Sequence, residues 1–211
     1  MDWDFIGSYL AKGIHHVITG WDHLLFAAAL VLALTSFWEV FKIIGIFTLA
    51  HSITVVATAL HGAPLLPSSI VEPVIGASII FVALENILRR NTALSMQRMT
   101  IVFILGLVHG MGFGGALLEN LEGISGNAAG WAIAAFCVGV EAGHLCVVAP
   151  LSGALKIGRD AGGESFRRVS LRWGSVLVAL GGCYYLCAAL KPVIFAEPPA
   201  DPVTSPVPRT P

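Results

Sequence analysis

The chain is 211 residues long, 56% hydrophobic and only 12% charged, with a mean hydropathy of +0.81 and a formal net charge of -1. No ordinary soluble domain has that balance, so the sequence describes an integral membrane protein. The near-neutral charge, without any sustained basic run, excludes nucleic acid as a partner, because phosphate backbones demand a concentrated cationic surface.

Residues 1 to 12 mix Asp2, Trp3, Asp4, Tyr9 and Lys12 with apolar positions, which suits a segment lying at the membrane interface. They lack the basic start and small-residue cleavage site of a signal peptide, so no cleaved leader is expected. Apolar runs long enough to cross a bilayer follow at about 13 to 36, 38 to 60, 68 to 90, 98 to 121, 127 to 155 and 168 to 190. The predicted fold is therefore all-α, a polytopic membrane protein with a bundle of about six transmembrane helices in one domain over 13 to 190. Turn chemistry marks two connections, at His61-Gly62-Ala63-Pro64 and at Glu122-Gly123-Ile124-Ser125-Gly126. From 191 to 211 the chain is Pro-rich with little to bury, which predicts an extended, disordered tail. All four cysteines, Cys137, Cys146, Cys183 and Cys187, fall inside apolar segments, where small buried hydrophobes are a better account than a disulfide framework.

Lys and Arg in short loops stay cytoplasmic. Lys42 lies by the first connection, Arg89, Arg90 and Arg98 flank the third, and Lys156, Arg159, Arg167 and Arg168 fill the fifth, whereas the second and fourth have none. The sequence thus predicts a multi-pass protein of the inner or plasma membrane with both termini extracytoplasmic. A homo-oligomer is compatible with this pattern and not required by it.

The first span carries the polar stretch His16-Val17-Ile18-Thr19-Gly20-Trp21-Asp22-His23. An Asp at a helix centre costs roughly 2.5 to 3.5 kcal/mol even on the mildest scales, so ionisable groups persist at membrane depth mainly where function needs them. Continued as one helix, the stretch puts His16 and His23 on one face and His15 and Asp22 on the next. The second span holds Thr48, His51 and Ser52 at a similar depth. The third has Ser69 and Glu72 at capping-box spacing and Glu85 with Arg89 at ion-pair spacing. In the fourth, His109 sits inside a glycine cluster where a helix can pack closely or break. In the fifth, Cys137, Glu141 and His144 share a face; Cys137 there is as well explained by packing. The candidate metal ligands are His16, Asp22, His23, His51, His109, Glu141 and His144, a set suited to a borderline divalent transition metal (Ni, Co or Zn) as substrate or ligand. A site of several imidazoles also predicts that protons compete with the metal, since a histidine must be neutral to ligate and its unperturbed pKa is near 6.5.

These motifs resemble the HupE/UreJ family of membrane proteins. The resemblance rests on Gly13 to Phe26, on Phe47 to Thr54, on Glu72 with Ala83-Leu84-Glu85-Asn86, on Gly106 to Phe113 and on Phe136 to His144. It implies nickel or cobalt uptake for hydrogenase and urease maturation. Where the family pattern implies Asn and Gln, this chain has Cys137 and His144, both better metal ligands, so the resemblance also implies a shifted metal preference. Two functions fit the residues. One is a permease in which a cation enters from the outer side, exchanges water for the seven ligands and leaves past Glu85. The alternative is an intramembrane zinc-dependent hydrolase, with three His or Asp side chains holding the metal and an open position activating water.

Overall fold

The structure, a computed structural model, describes residues 3–89, 94–124 and 126–195. Every regular element among them is an α-helix: α1 (Trp3–Thr19), α2 (Trp21–Ala33), α3 (Phe37–His61), α4 (Ser68–Leu88), α5 (Met96–Gly112), α6 (Gly114–Asn120) and α7 (Asn127–Ile194). Three of these, α3, α4 and α7, are each long and apolar enough to cross a membrane alone. The pairs α1/α2, bent by 70°, and α5/α6, bent by 47°, qualify as broken spans, which raises the number to five.

At 1.5 Å per residue the 68 residues of α7 would reach about 100 Å, far beyond a hydrocarbon core of about 30 Å. The helix does not run straight, because Gly163 takes φ 58° and ψ -146°, a conformation only glycine adopts readily. Its first arm passes Val17 at residue 143 and reaches the end of α2, where Arg159 binds the Leu34 carbonyl. The second arm runs back along α2, with residue 174 beside Leu32 and residue 181 beside Leu25. The arms are therefore antiparallel, and the whole is consistent with the helical membrane bundle read from hydropathy.

Where the helices begin and end follows from local chemistry. Ser36 caps α3 by accepting from the Trp38 amide at 3.3 Å, and Ser95 caps α5 by accepting from the Arg98 amide at 3.2 Å. The expected capping box at Ser69 and Glu72 does not form. Helix α4 starts at Ser68, behind Pro67, which takes the N-cap position with an extended backbone and no side-chain cap, so Ser69 already lies inside the first turn. The lead-in expected as a separate segment up to residue 12 is helical from Trp3 and continuous with α1. Of the tail expected from 191, the first residues are helical, since α7 runs on to Ile194, and residues from 196 onward lie outside those described.

The outer surface is the inverse of a soluble protein. Leu49, Ile53, Phe81, Ile104, Val138, Leu177 and Leu180 are exposed, as are Trp3, Trp21, Trp38, Trp131 and Trp173, which suits lipid contact and an interfacial aromatic belt. The interior packs Phe26, Leu30, Ile43, Ile44, Phe47, Ile75, Ile79 and Val82 into one apolar core, above which the histidines converge.

Candidate metal centre

The first departure from the sequence reading creates the site. The first span is not one helix. Gly20 leaves α1 with φ -77° and ψ 103°, extended backbone that caps α2. His16 and His23 thus belong to different helices and meet across the bend, with ring centroids 4.7 Å apart, rather than sharing a helical face. The position tolerates little but glycine, since an added Cβ would press on the His16 carbonyl, the Asp22 carboxylate and the His23 ring.

Helix α3 contributes His51, whose ring lies 5.4 Å from that of His23 and 5.9 Å from that of His16. One ligand nitrogen from each of these three lies within 4.8 Å of the other two, a grouping able to hold a metal ion. Helix α5 brings His109 to 6.0 Å from His23, and α7 brings His144 to 5.3 Å. The close approach of α3 and α5 depends on Gly110, because a Cβ there would overlap the Thr54 hydroxyl and the His51 carbonyl. Five helices thus gather five imidazoles, with the rings of His16, His51, His109 and His144 all within 6.0 Å of that of His23. His23, His51, His109 and His144 are all at most 1% exposed.

Their hydrogen bonds show which nitrogens are free. His109 Nδ1 stands 2.8 Å from the Leu105 carbonyl, which can only accept, so Nδ1 carries the proton and Nε2 presents its lone pair. That Nε2 is buried without a partner. An imidazole oriented by a backbone carbonyl on one side and bare on the other is the usual arrangement of a metal-binding histidine. His144 is set between the Thr48 hydroxyl, 3.2 Å from its Nδ1, and His23, whose Nδ1 is 3.3 Å from His144 Nε2. His16 Nε2 and both nitrogens of His51 are also buried and unpartnered. Each such atom costs about 1–3 kcal/mol if nothing binds it. Metal–imidazole bonds of about 2.0–2.1 Å place tetrahedral ligand nitrogens roughly 3.3 Å apart, so small side-chain rotations of the triad suffice.

Two of the seven predicted ligands stand apart from the rings. Asp22 reaches His23 Nε2 only at 3.9 Å, and its half-buried carboxylate lines a separate side cavity of about 630 Å³ with Trp21, Tyr184 and Tyr185. Glu141 keeps one buried, unpartnered oxygen, but among the described residues no hydrogen bond, ion pair or ring contact joins it to the histidines. Sequence reasoning passed over Phe47, which touches the rings of His23, His51, His109 and His144, and Phe113, whose ring is 4.1 Å from His16. Aromatic residues in an apolar span carry no signal of their own. Thr48 was visible only as a polar group one turn from Ser52.

An open cavity of about 520 Å³, lined by Ser8, Lys12, His15, Thr19 and Asn120, ends on His16 and Phe113. The opposite side is shut. Phe26 stacks on Phe47 at 4.8 Å and also meets His109 at 4.8 Å, and the apolar core follows directly.

Fold and centre together define a polytopic helical membrane protein with a buried histidine cluster able to hold a metal ion. The sequence profile of the family described as HupE / UreJ protein matches residues 1–189, and the chain belongs to that family. No curated protein and no solved structure matches it.

Proposed function

We propose that the protein is a permease for a divalent transition metal ion, nickel or cobalt first, and that His16, His23, His51, His109 and His144 form its binding site. The observation that carries this is the set of buried, unpartnered imidazole nitrogens on His16, His51 and His109, with an open cavity that reaches the cluster at His16. Family membership supports the choice of metal. Imidazole favours this part of the transition series over Mg²⁺ or Ca²⁺. In this scheme the ion sheds water in the cavity, passes from His16 to the inner imidazoles, and is released once the Phe26 and Phe47 layer opens. Asp22 lowers the potential of the site from its flank, and Glu141 receives the ion only if α7 rotates.

The scheme places the open cavity outside the cell and both termini with it, in the inner or plasma membrane. Reporter fusions after Pro64 and Gly123 should read extracytoplasmic and those after Asn91 and Gly162 cytoplasmic; the reverse pattern would make the same site an exporter's or an inward-facing one. Uptake itself is tested by metal accumulation in cells expressing the parent or His23→Ala at equal membrane levels. Loss of accumulation in the variant is expected, and parental uptake would exclude the site. The zinc hydrolase reading has His16, His23 and His51 in place to hold a metal, and it predicts one zinc retained through purification instead of an exchangeable ion.

A further inference from the structure

A second polar site lies at the opposite end of the bundle from the open cavity, where the turn between α2 and α3 meets the end of the first arm of α7. A pocket of about 100 Å³ is lined there by Thr35, Ser36, Ser152, Lys156 and Arg159. Four features make it electropositive. The N-terminus of α3 opens on it, with Ser36 and Phe37 in its lining, and helix N-termini favour anions. The Arg159 guanidinium is fixed over it by two backbone acceptors, Nη1 to Leu34 at 2.8 Å and Nε to Leu155 at 3.1 Å, and no carboxylate pairs with it among the described residues. Lys156 reaches its rim. The fourth is Ser152, which is 6% exposed and whose hydroxyl has no hydrogen-bond partner, although a helical serine can ordinarily bond the carbonyl one turn back. A buried donor left free beside two cations and a helix N-terminus awaits an acceptor with several oxygens.

The acids near the pocket do not fill that role. Asp160 holds Lys156 at 2.6 Å in an exposed i,i+4 pair, an interaction of little worth in water and readily exchanged. Glu39 stands in the first turn of α3, beyond Phe37. Exposed Phe37 and Trp38 flank the pocket on the lipid side, which sets it at head-group level.

We propose that this pocket binds a single phosphate group, held by Arg159, Lys156, the Ser152 hydroxyl and the amides that open α3. Its volume admits one tetrahedral oxyanion and not a nucleotide. Basic pockets between helices at head-group level recognise anionic lipids, whose phosphodiester would tie the α2–α3 turn to α7. The site is independent of the histidine cluster.

The test uses the full chain in nanodiscs of phosphatidylcholine alone or of equal parts phosphatidylcholine and phosphatidylglycerol, with thermal stability and lipid retained in native mass spectrometry as readouts. A second arm adds inorganic phosphate to the phosphatidylcholine sample. The parent should melt higher with phosphatidylglycerol and keep one such lipid. Arg159→Gln, and Ser152→Val, which fills the pocket, should each weaken that retention about tenfold, while Lys42→Gln, a basic change outside the pocket, should not. Protection by inorganic phosphate to the same degree, with the same variants sensitive, supports the site with a free oxyanion as its source. A response to neither probe, or equal losses in Arg159→Gln and Lys42→Gln, overturns the proposal.

Discussion

Two polar clusters interrupt the apolar interior, and they differ in whether their members can satisfy one another. Toward the basic end, Asn86 donates to the Ala29 carbonyl at 2.7 Å and accepts from Arg98 at 2.9 Å, while Glu85 lies 3.2 Å from Arg89. Arg98 Nε and Glu85 Oε1 go without a hydrogen bond, the latter keeping only its ion pair to Arg89, yet each side chain has a partner of complementary type, and together they join α2, α4 and α5. The histidine cluster has no such complement. Neutral imidazoles offer one donor and one acceptor each; among these five rings only His23 and His144 meet one another at hydrogen-bonding distance, and Leu105 and Thr48 take up one nitrogen each of His109 and His144. A buried network whose groups answer each other holds helices together. One that leaves imidazole nitrogens buried and unpartnered leaves lone pairs that a cation could take up.

That contrast can be broken experimentally, most sharply by paired substitutions. His51→Leu removes a fully buried ring with neither nitrogen partnered, so metal uptake should fall to background while the melting temperature in detergent holds or rises. A large loss of stability there would make His51 a structural residue. Asn86→Leu should do the opposite. It strands the Arg98 guanidinium, at about 1–3 kcal/mol, and removes the Asn86 bond to α2, lowering the melting temperature while uptake per folded molecule survives.

A smaller effect is expected at the flank of the centre. Asp22→Asn keeps shape and hydrogen bonding but removes the anion nearest the rings, at 3.9 Å from His23. Accumulation should drop about tenfold, a loss of about 1.4 kcal/mol in binding, with insertion unaffected. Parental uptake would restrict the site to the imidazoles. The gentlest probe is pH. Metal and protons compete for His16, His23, His51, His109 and His144, so affinity of the purified protein should fall as pH falls, more steeply than one titrating group allows. His61, exposed at the end of α3, should be silent: His61→Ala leaves the profile unchanged, and a flat profile in the parent would remove the cluster as the metal site.

The sequence by itself determined that this is a helical membrane bundle, since a run of apolar residues long enough to span lipid has few other fates. It also singled out the histidines at 16, 23, 51, 109 and 144, because an imidazole inside such a run is conspicuous against its neighbours. The ion pair of Glu85 with Arg89 was likewise legible, being a matter of spacing along one helix. Only the tertiary structure decided which polar groups meet. The helical period assumed for 13 to 36 breaks at Gly20, and one extended residue redirects everything after it, so Asp22 turns to the flank and His16 meets His23 from another helix. The Asn86–Arg98 bond and the Arg159 clasp on Leu34 join residues whose separation in the chain carries no periodicity. Contacts between helices depend on how deep each one sits and how it is rotated, quantities set by packing at positions such as Gly110, and no local pattern encodes them.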